Sequence, residues 1–439
     1  MQPETTTDNQ ARDAPLVRSL GTWGLGASIV NITIAGSIFV LPGTLGASMG
    51  AAAPLAFVLG AVLFVPLVLS FAAVGSRVVT SGGPYVYVET AFGRFPGFLI
   101  AALLWISSVS GSGGLAAALA DQFAHALPWT SAALPRTLLL FAVYASLVTI
   151  NAFGMRSGTR ANAVFAAAKV LPLAAIAVFG LFYARAHNFT ISEWPSSRVV
   201  GTSLILVVFA YSGVETALNP SGEMRNTDKV VPKAVLAGVG VVVALYIAIQ
   251  AVCQAVLGPA LAGHPAPVFA VAEKIVAGGG AVVLLTAALA LFGSLQGDLL
   301  GTSRLLYALG RDGLLPRPLA RISPRSRVPM IAVVTHALAA FAMAIGGSFN
   351  MLALVSGGAF CFVYIGCAAA AWQLQRSNFS ETAAPLVLPG GALIPALGIA
   401  GFVSILTTLQ RQEWTAIGVA IGCICALYAI AQFAGKRRL

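Results

Sequence analysis

Long apolar segments recur along the whole chain, and polar residues are largely confined to the short stretches between them. Each segment has about 20 residues, the length that a helix needs to cross a hydrocarbon core roughly 30 Å thick. Because backbone polar groups cannot stay unpaired in lipid, such segments must form helices. We count twelve, near residues 20–45, 52–74, 97–124, 136–153, 162–184, 199–219, 233–257, 281–303, 329–346, 351–374, 392–410 and 414–434. The pattern predicts an all-α polytopic membrane protein with twelve transmembrane helices.

The first and the sixth apolar segments are interrupted. The first contains "NITIAGSIFVLPG" (31–43) and the sixth contains "FAYSGVE" (209–215), so Gly and Ser stand inside otherwise apolar helix. The two segments lie five spans apart, and an odd offset inverts one relative to the other across the membrane. Paired broken helices in inverted repeats indicate the central site of a secondary transporter. The alternative is that Gly and Ser only allow close helix packing.

A helix that unwinds at mid-membrane exposes N–H and C=O groups that must find partners in a cavity shielded from lipid. Half-helix N-termini attract anionic groups such as a carboxylate, and half-helix C-termini attract cations. A zwitterionic small molecule therefore suits a site between two such breaks.

Composition and charge support a membrane protein and set its expected orientation. Of the 439 residues 58% are hydrophobic and 9% charged, whereas soluble proteins carry roughly a quarter charged residues. With the N-terminus inside, cytoplasmic segments hold 19 of the 25 Lys and Arg residues, six of them in the segment 304–327. This bias predicts that both termini are cytoplasmic in a cell membrane. The net charge of +11 suits contact with anionic lipid of the inner leaflet. The basic residues are scattered over the loops, which argues against a nucleic-acid partner.

The organisation is that of one transporter domain. Residues 1–19 are polar and mixed in charge, which predicts a disordered cytoplasmic tail with no cleavable signal peptide, and 436–439 form a basic end. Between them, 20–435 divides into a first repeat (about 20–184), a second repeat (about 199–374) and two further helices (about 392–434).

Cysteine and histidine give no sign of a metal site. The five cysteines all fall inside apolar segments without metal-ligand spacing, which favours small buried side chains. The four histidines are not clustered, and three of them fall in predicted external segments. The residues concerned are Cys253, Cys361, Cys367, Cys423 and Cys425, and His125, His187, His264 and His336. No cofactor is expected beyond an ion gradient.

Four stretches, in order and at matching topological positions, resemble the amino acid–polyamine–organocation superfamily of transporters. They are "GSIFVLPG" (36–43), "SGGPYVYVETAFGRFPGF" (81–98), "FAYSGVE" with "GEMRNTDKVVPKA" (209–234), and "GTSRLLYALGRDGLLPR" (301–317). The resemblance runs from about residue 20 to the twelfth span. It implies the 5+5 inverted-repeat fold of the leucine-transporter type, with alternating access around spans one, three, six, eight and ten.

The resemblance also implies which residues hold the substrate. Family members commonly bind the substrate carboxylate with a Gly-small-Gly triplet at the first break, whereas here only the middle residue is Gly. At the sixth span the matching aromatic, Phe209, is expected to act as a gate, with Phe39 and Tyr211 as further gate candidates. The implied substrate-binding positions at the two breaks are Ile34, Ala35, Gly36, Ser37, Phe209, Ala210, Ser212 and Gly213.

Lys169 is the one lysine or arginine well inside a span, and an ionisable residue there is a functional candidate by default. In proton-coupled relatives a fifth-span lysine contacts the broken first helix where sodium-coupled members bind a cation, and Lys169 is similar in position. The alternative is snorkelling, because Lys169 lies nine residues, or about 13.5 Å, beyond Arg160. We expect proton coupling through Lys169.

Glu215 follows the second break at a position where family members often carry an acid. We expect it to be protonated, to pair with a cation or to bond to span one, so a structural and a coupling role both stay open.

Asp298 matches a substrate-facing position of the eighth span, although counting from Ala281 places it nearer the cytoplasm. Arg304, six residues on, lies about 240° around the helix and cannot pair with it locally, since stable pairs need a spacing of three or four. Asp298 is therefore expected to seek a substrate amine or Lys169, which favours a cationic substrate. Ser112, in the small-residue run "SSVSGSGG" (107–114), serves either helix packing or the cavity.

The leading hypothesis is a proton-coupled amino-acid symporter that works by alternating access in the cell membrane. The alternative is an antiporter of basic amino acids or polyamines. A channel or a membrane-embedded enzyme is less favoured, since no cluster of catalytic residues is visible. The substrate, the direction of transport and whether the protein is a monomer or a homodimer stay open.

Overall fold

The computed structural model describes residues 19–153 and 155–409 and eleven positions between 411 and 428. Within that part the chain is helical, and its one β-type contact is a single bridge between Leu20 and Met224. The α-helices are α1 Thr22–Thr33, α2 Ser37–Met49, α3 Ala53–Arg77, α4 Pro84–Phe92, α5 Arg94–Ala126, α6 Ala133–Ala152, α7 Met155–Phe179, α8 Ser197–Tyr211, α9 Val214–Ala217, α10 Thr227–Leu257, α11 Pro267–Ile275, α12 Gly279–Arg311, α13 Met330–Gly346, α14 Phe349–Arg376 and α15 Leu393–Leu406.

Short 3-10 turns connect several of these helices. They are Gly50–Ala52, Pro128–Ser131, Gly180–Tyr183, Ala186–Phe189, Ser221–Glu223, Gly258–Leu261 and Arg317–Ala320. The predicted tail and basic end, Cys423 and much of the predicted twelfth span lie outside the described residues.

Eight helical segments of the described chain are long and apolar enough to cross a membrane, and α13 and α15 are shorter apolar helices. The chain is therefore an all-α, multi-pass membrane protein, as the sequence predicts. The twelve-span count and the inverted repeat stay predictions.

Both predicted interruptions are present as breaks between helices. The first apolar segment divides into α1 and α2 around residues 34–36, and the sixth divides into α8 and α9 around residues 212–213. At the second break Gly213 has φ +140°, a conformation that only glycine adopts without strain. A Cβ on Gly213 would lie 2.4 Å from Thr33 Oγ1, so the two breaks touch each other.

Three glycines spaced four residues apart on α12 let this helix approach both breaks. A Cβ on Gly293 would lie 2.7 Å from Asn31 Oδ1, and one on Gly297 would lie 2.4 Å from Ile32 Cγ1. A Cβ on Gly301 would meet the Thr216 carbonyl oxygen at 2.5 Å, next to the second break. Small residues at this spacing are what close helix packing in a membrane requires.

Two ends of the bundle can be distinguished without assigning them to compartments. We call the end that holds Leu20, Glu223 and Arg311 the amino-terminal face, and the other end the opposite face. Here the structure corrects the sequence analysis, because Arg304 and Arg311 do not belong to a basic loop. Both lie in α12, and the Arg304 side chain is fully buried.

The described cysteines are free thiols, and Cys253, Cys361 and Cys367 are buried as expected. Cys425 is only half-buried. Among the described residues no group of His, Cys, Asp and Glu is arranged to hold a metal ion.

Candidate functional site

A cavity of about 40 Å³ lies between the two breaks. That volume holds about three water molecules. Its wall is rich in hydroxyl groups and is formed by Ile32, Thr33, Ala35, Ser37, Ser107, Ser108, Gly111, Ser112, Leu115, Phe209, Ser212, Gly213, Glu215, Thr216, Ser294, Asp298, Ser356 and Phe360. Eight positions singled out in the sequence line it together: Ala35, Ser37, Ser112, Phe209, Ser212, Gly213, Glu215 and Asp298.

The remaining candidate positions lie behind this wall or away from it. Gly36 packs against Leu291, with a Cβ position 2.2 Å from Leu291 Cδ2, and Ala210 lies in the core. Ile34 takes part through its carbonyl oxygen rather than its side chain.

Lys169, on α7, binds the first break from behind. Its ammonium group donates to the carbonyl oxygens of Asn31 and Ile34, each at 2.8 Å, and to that of Ala290 at 3.1 Å. The side chain is completely buried, so the snorkelling interpretation is wrong. The last carbonyls of a helix have no intrahelical partners, and a cation beside them satisfies both their hydrogen bonds and the helix dipole.

Hydroxyl groups complete the partners of the first break. Ser294, on α12, lies 3.2 Å from the Lys169 ammonium group and donates to the Asn31 carbonyl oxygen at 2.8 Å. Tyr246, on α10, donates to the Thr33 carbonyl oxygen at 3.0 Å and lies 2.6 Å from Ser37 Oγ. Tyr246 therefore contacts the chain on both sides of the break.

Glu215 binds the second break. Its Oε1 accepts a hydrogen bond from the Gly213 N–H at 2.7 Å, and its Oε2 accepts one from the Tyr364 hydroxyl of α14 at 3.0 Å. The side chain is completely buried. The expected partner on span one is therefore replaced by Tyr364 of span ten and by the backbone of the break itself.

Asp298 faces the cavity, as the family alignment predicts, but it is not short of partners. Its Oδ2 accepts from Ser112 Oγ at 2.6 Å and lies 2.9 Å from His336 Nε2, and its Oδ1 accepts from Thr302 Oγ1 at 3.1 Å. The expected partners, a substrate amine or Lys169, are replaced by His336 of α13 and by the hydroxyls of Ser112 and Thr302. The expected cationic substrate stays a prediction.

A larger cavity of about 470 Å³ lies towards the opposite face, and Phe349, Phe39 and Asp121 line it. Phe209 lines the smaller cavity, and its ring meets that of Phe349 edge to face, with centroids 6.0 Å apart. Phe209 thus contacts a residue of the larger cavity, and its role as a gate stays a prediction.

Tyr211 does not lie at either cavity. Its hydroxyl donates to the Phe57 carbonyl oxygen at 3.0 Å, and its ring packs among Phe57, Phe64 and Tyr246. This aromatic cluster supports the end of α8, so the geometry does not favour Tyr211 as a gate.

The amino-terminal face is closed by polar contacts. A buried ion pair joins Arg304 to Glu223 at 3.0 Å, and the backbone N–H of Leu20 donates to the Glu223 carbonyl oxygen at 3.0 Å. Nearby, the Tyr85 hydroxyl of α4 donates to Asp312 Oδ2 at 3.0 Å. Burial, together with the neighbouring Asp312 carboxylate, raises the pKa of Tyr85, so this phenol stays neutral and able to donate.

The site residues that escaped the sequence analysis include Tyr246, Ser294, His336 and Tyr364. Each is a polar residue inside an apolar segment, and that was the available signal. His336 stands out, because it lies at the middle of α13 and not in an external segment.

Two helices broken at one enclosed polar cavity define the class of protein, a membrane transporter of small solutes. The comparison with protein families is specific: the amino acid permease family matches residues 20–410, and the chain belongs to that family.

Three similar proteins illustrate the range of the family. The serine/threonine exchanger SteT of Bacillus subtilis is 27% identical over 421 residues, covering 93% of this chain and 95% of its own. The methylthioribose transporter of the same species is 25% identical, covering 96% and 95%. The branched-chain amino acid permease BcaP of Lactococcus lactis is 27% identical, covering 89% and 91%.

Proposed function

We propose that this protein carries small neutral amino acids across the cell membrane by alternating access and that a proton on Lys169 drives the cycle. The observation that carries the proposal is the contact between the Lys169 ammonium group and the carbonyl oxygens of Asn31 and Ile34. A carrier built this way has a cation bound to the moving break, and losing that cation frees the break to rearrange.

The mechanism follows from the charge of the lysine. A protonated Lys169 donates to three carbonyl oxygens and keeps the C-terminal end of α1 in place. A neutral amine has fewer protons to donate and no charge for the helix dipole to attract. Deprotonation therefore weakens the hold on α1, and the proton leaves on the side to which the site then opens.

The size and lining of the cavity support the substrate class. The wall combines serine and threonine hydroxyls with Leu115, Phe209 and Phe360, and it encloses only a small space. The two acids of the wall, Glu215 and Asp298, already accept hydrogen bonds from protein groups. A small side chain without charge fits these surroundings, and two similar proteins are named for serine, threonine and branched-chain amino acids.

We further propose the full architecture: twelve spans in a 5+5 inverted repeat, with both termini in the cytoplasm. In that orientation the amino-terminal face is cytoplasmic and the larger cavity opens towards the outside. The support is the family membership, the two breaks and the excess of Lys and Arg in predicted cytoplasmic segments.

The test is uptake by purified protein in liposomes under an imposed pH gradient. A thermal-shift screen against the twenty amino acids selects the probe, since ligands stabilise by mass action. Uptake of the radiolabelled hit should rise with an inward proton gradient and fall about tenfold or more in Lys169→Ala, a loss of ~1.4 kcal/mol or more. Lys233→Ala, at an exposed position, is the matched control. Full gradient-driven uptake by Lys169→Ala would refute the coupling role.

Exchange is the second candidate, because one similar protein is named a serine/threonine exchanger. Counterflow separates the two modes: exchange needs amino acid inside the liposome, whereas symport needs a pH gradient. Uptake into empty liposomes that does not depend on the pH gradient would support neither symport nor exchange. It would indicate a channel-like leak.

A further inference from the structure

One wall of the cavity holds a buried acid–histidine pair that coupling through Lys169 does not use. Asp298 on α12 lies 2.9 Å from His336 Nε2 on α13, and it also accepts from Ser112 of α5 at 2.6 Å. His336 is 1% exposed and Asp298 is 9% exposed. The pair therefore connects three helices at the surface that the substrate contacts.

The hydrogen bonds indicate which protons the pair holds. An ionised carboxylate only accepts, so the His336 nitrogen that faces it carries a hydrogen. The other ring nitrogen, Nδ1, is buried and has no hydrogen-bond partner in the described part of the chain. A proton on Nδ1 turns the imidazole into a cation beside the carboxylate, so that the two charges compensate each other.

No other group in the surroundings takes this role. Glu215 of α9 faces the same cavity, but it is bonded to Gly213 and to Tyr364 of α14. Tyr144 of α6 donates to the Ser112 carbonyl oxygen, and Lys169 of α7 is held at the first break. Across the described residues, Asp298 forms an ion pair with His336 alone.

We propose that Asp298 and His336 bind a proton as one unit, separately from Lys169, and so set the charge that this wall presents to the substrate side chain. With the proton bound the wall is neutral and suits a neutral side chain. Without it the wall is negative and favours a side chain that carries an amine. The second statement rests on the proposed amino-acid transport, whereas proton binding itself can be measured without transport.

The first experiment observes the imidazole directly. Protein labelled with ¹⁵N-histidine is placed in lipid nanodiscs, and His336→Gln identifies the His336 signals. Between about pH 5 and about pH 8.5 the ring of His336 should titrate, since histidine changes charge in this range. The midpoint should move in Asp298→Asn, because the anion beside the imidazole is gone. It should stay in place in Lys169→Ala.

A second variant keeps the proposal testable if Asp298→Asn does not fold. Thr302→Val removes one donor to the carboxylate and should also move the midpoint, since the carboxylate then depends more on His336. A ring that keeps one protonation state throughout, or a midpoint that neither substitution moves, would overturn the proposal.

The second experiment measures selectivity by counterflow of radiolabelled L-serine with unlabelled L-lysine as competitor. In the wild-type protein lysine should compete at least about threefold better at pH 8.5 than at pH 5.5. His336→Gln should show the alkaline behaviour at both values and Asp298→Asn weak competition at both. His187→Gln, in an exposed turn, is the control and should match the wild type. Equal competition at both values in the wild type refutes the link to selectivity. Absence of L-serine exchange counts against the substrate class instead, and the histidine titration then decides the proton site.

Discussion

The two helix breaks are held by groups of opposite character. At the first, the exposed atoms are carbonyl oxygens, and they are bound by the ammonium group of Lys169 and by the hydroxyls of Ser294 and Tyr246. At the second, the exposed atom is the N–H of Gly213, and it is bound by the carboxyl group of Glu215. The first break thus needs donors, and the second needs an acceptor.

The difference lies in which end of the broken helix meets a charged side chain. At the first break the negative C-terminal end of α1 meets Lys169, whereas at the second the positive N-terminal end of α9 meets Glu215. A cation bound to the first break carries a proton that it can release. The acid at the second break is bound by two protein donors and completes the backbone hydrogen bonding there. This difference is consistent with the proposed coupling role of the first break and with structural support by Glu215 at the second.

The largest expected effect comes from making the second break unable to form. Gly213→Ala places a Cβ at φ +140° and 2.4 Å from Thr33 Oγ1, so the substitution should abolish transport and destabilise the protein by about 2 kcal/mol or more. Uptake and thermal unfolding of the purified protein measure both effects. Gly240→Ala, with open space around the new methyl group, should behave like the wild type. Normal transport by Gly213→Ala would show that the breaks need not touch.

A pair of amide substitutions compares the two breaks directly. Glu215→Gln keeps an oxygen that accepts from Gly213, so we expect at least about half of the wild-type uptake, a loss of under ~0.5 kcal/mol. Lys169→Gln removes the charge and most of the donors, so uptake should fall about tenfold or more. Equal losses in the two variants would mean that the charge of Glu215 also takes part in coupling.

Tyr246→Phe tests the hydroxyl that contacts both sides of the first break. The Thr33 carbonyl oxygen loses one of its two donors but keeps the Ala35 N–H at 2.9 Å, so the change should cost about 0.5–1.5 kcal/mol of stability and lower uptake several-fold. Thermal unfolding reports the first effect and initial uptake rates the second. Tyr183→Phe, whose hydroxyl lies at an exposed site, is the comparison variant. Unchanged stability in Tyr246→Phe would remove this hydroxyl from the account of the first break.

Ser294→Ala should have the smallest effect. Lys169 keeps its three carbonyl partners, so we expect a loss of under about 1 kcal/mol and an uptake reduced by less than about threefold. The pH dependence of uptake should be unchanged, which distinguishes a supporting hydroxyl from a coupling group. A loss as large as that of Lys169→Gln would instead make Ser294 an essential ligand of the break.

Much of the architecture could be predicted from local pattern. The lengths of the apolar segments gave helix bounds close to those observed, and Gly and Ser within two of them located the breaks. Lys169 was identified as a functional candidate because an ionisable side chain inside an apolar segment is costly in lipid. These inferences need only the residues adjacent to each position in the sequence. Lipid penalises unpaired polar groups in the same way in every apolar segment.

Pairings between distant segments could not be predicted in this way. For Asp298 the sequence analysis expected a substrate amine or Lys169 as partner, and it missed both Thr302 and His336 of α13. Tyr211, two residues after Phe209, was also a gate candidate. Its ring packs in an aromatic cluster and not at either cavity. Snorkelling of Lys169 was excluded only by the position of its ammonium group.

By itself, the sequence determined that the chain is a membrane protein of many helices, predicted that two of these are broken, and singled out one lysine inside an apolar segment. These properties follow from the cost of placing polar groups in lipid, which acts residue by residue. Only the tertiary structure decided which donor meets which acceptor: Lys169 with α1, Glu215 with Tyr364, and Asp298 with His336. Hydrogen bonds need atoms about 3 Å apart, and the packing of helices far apart in the chain sets those distances.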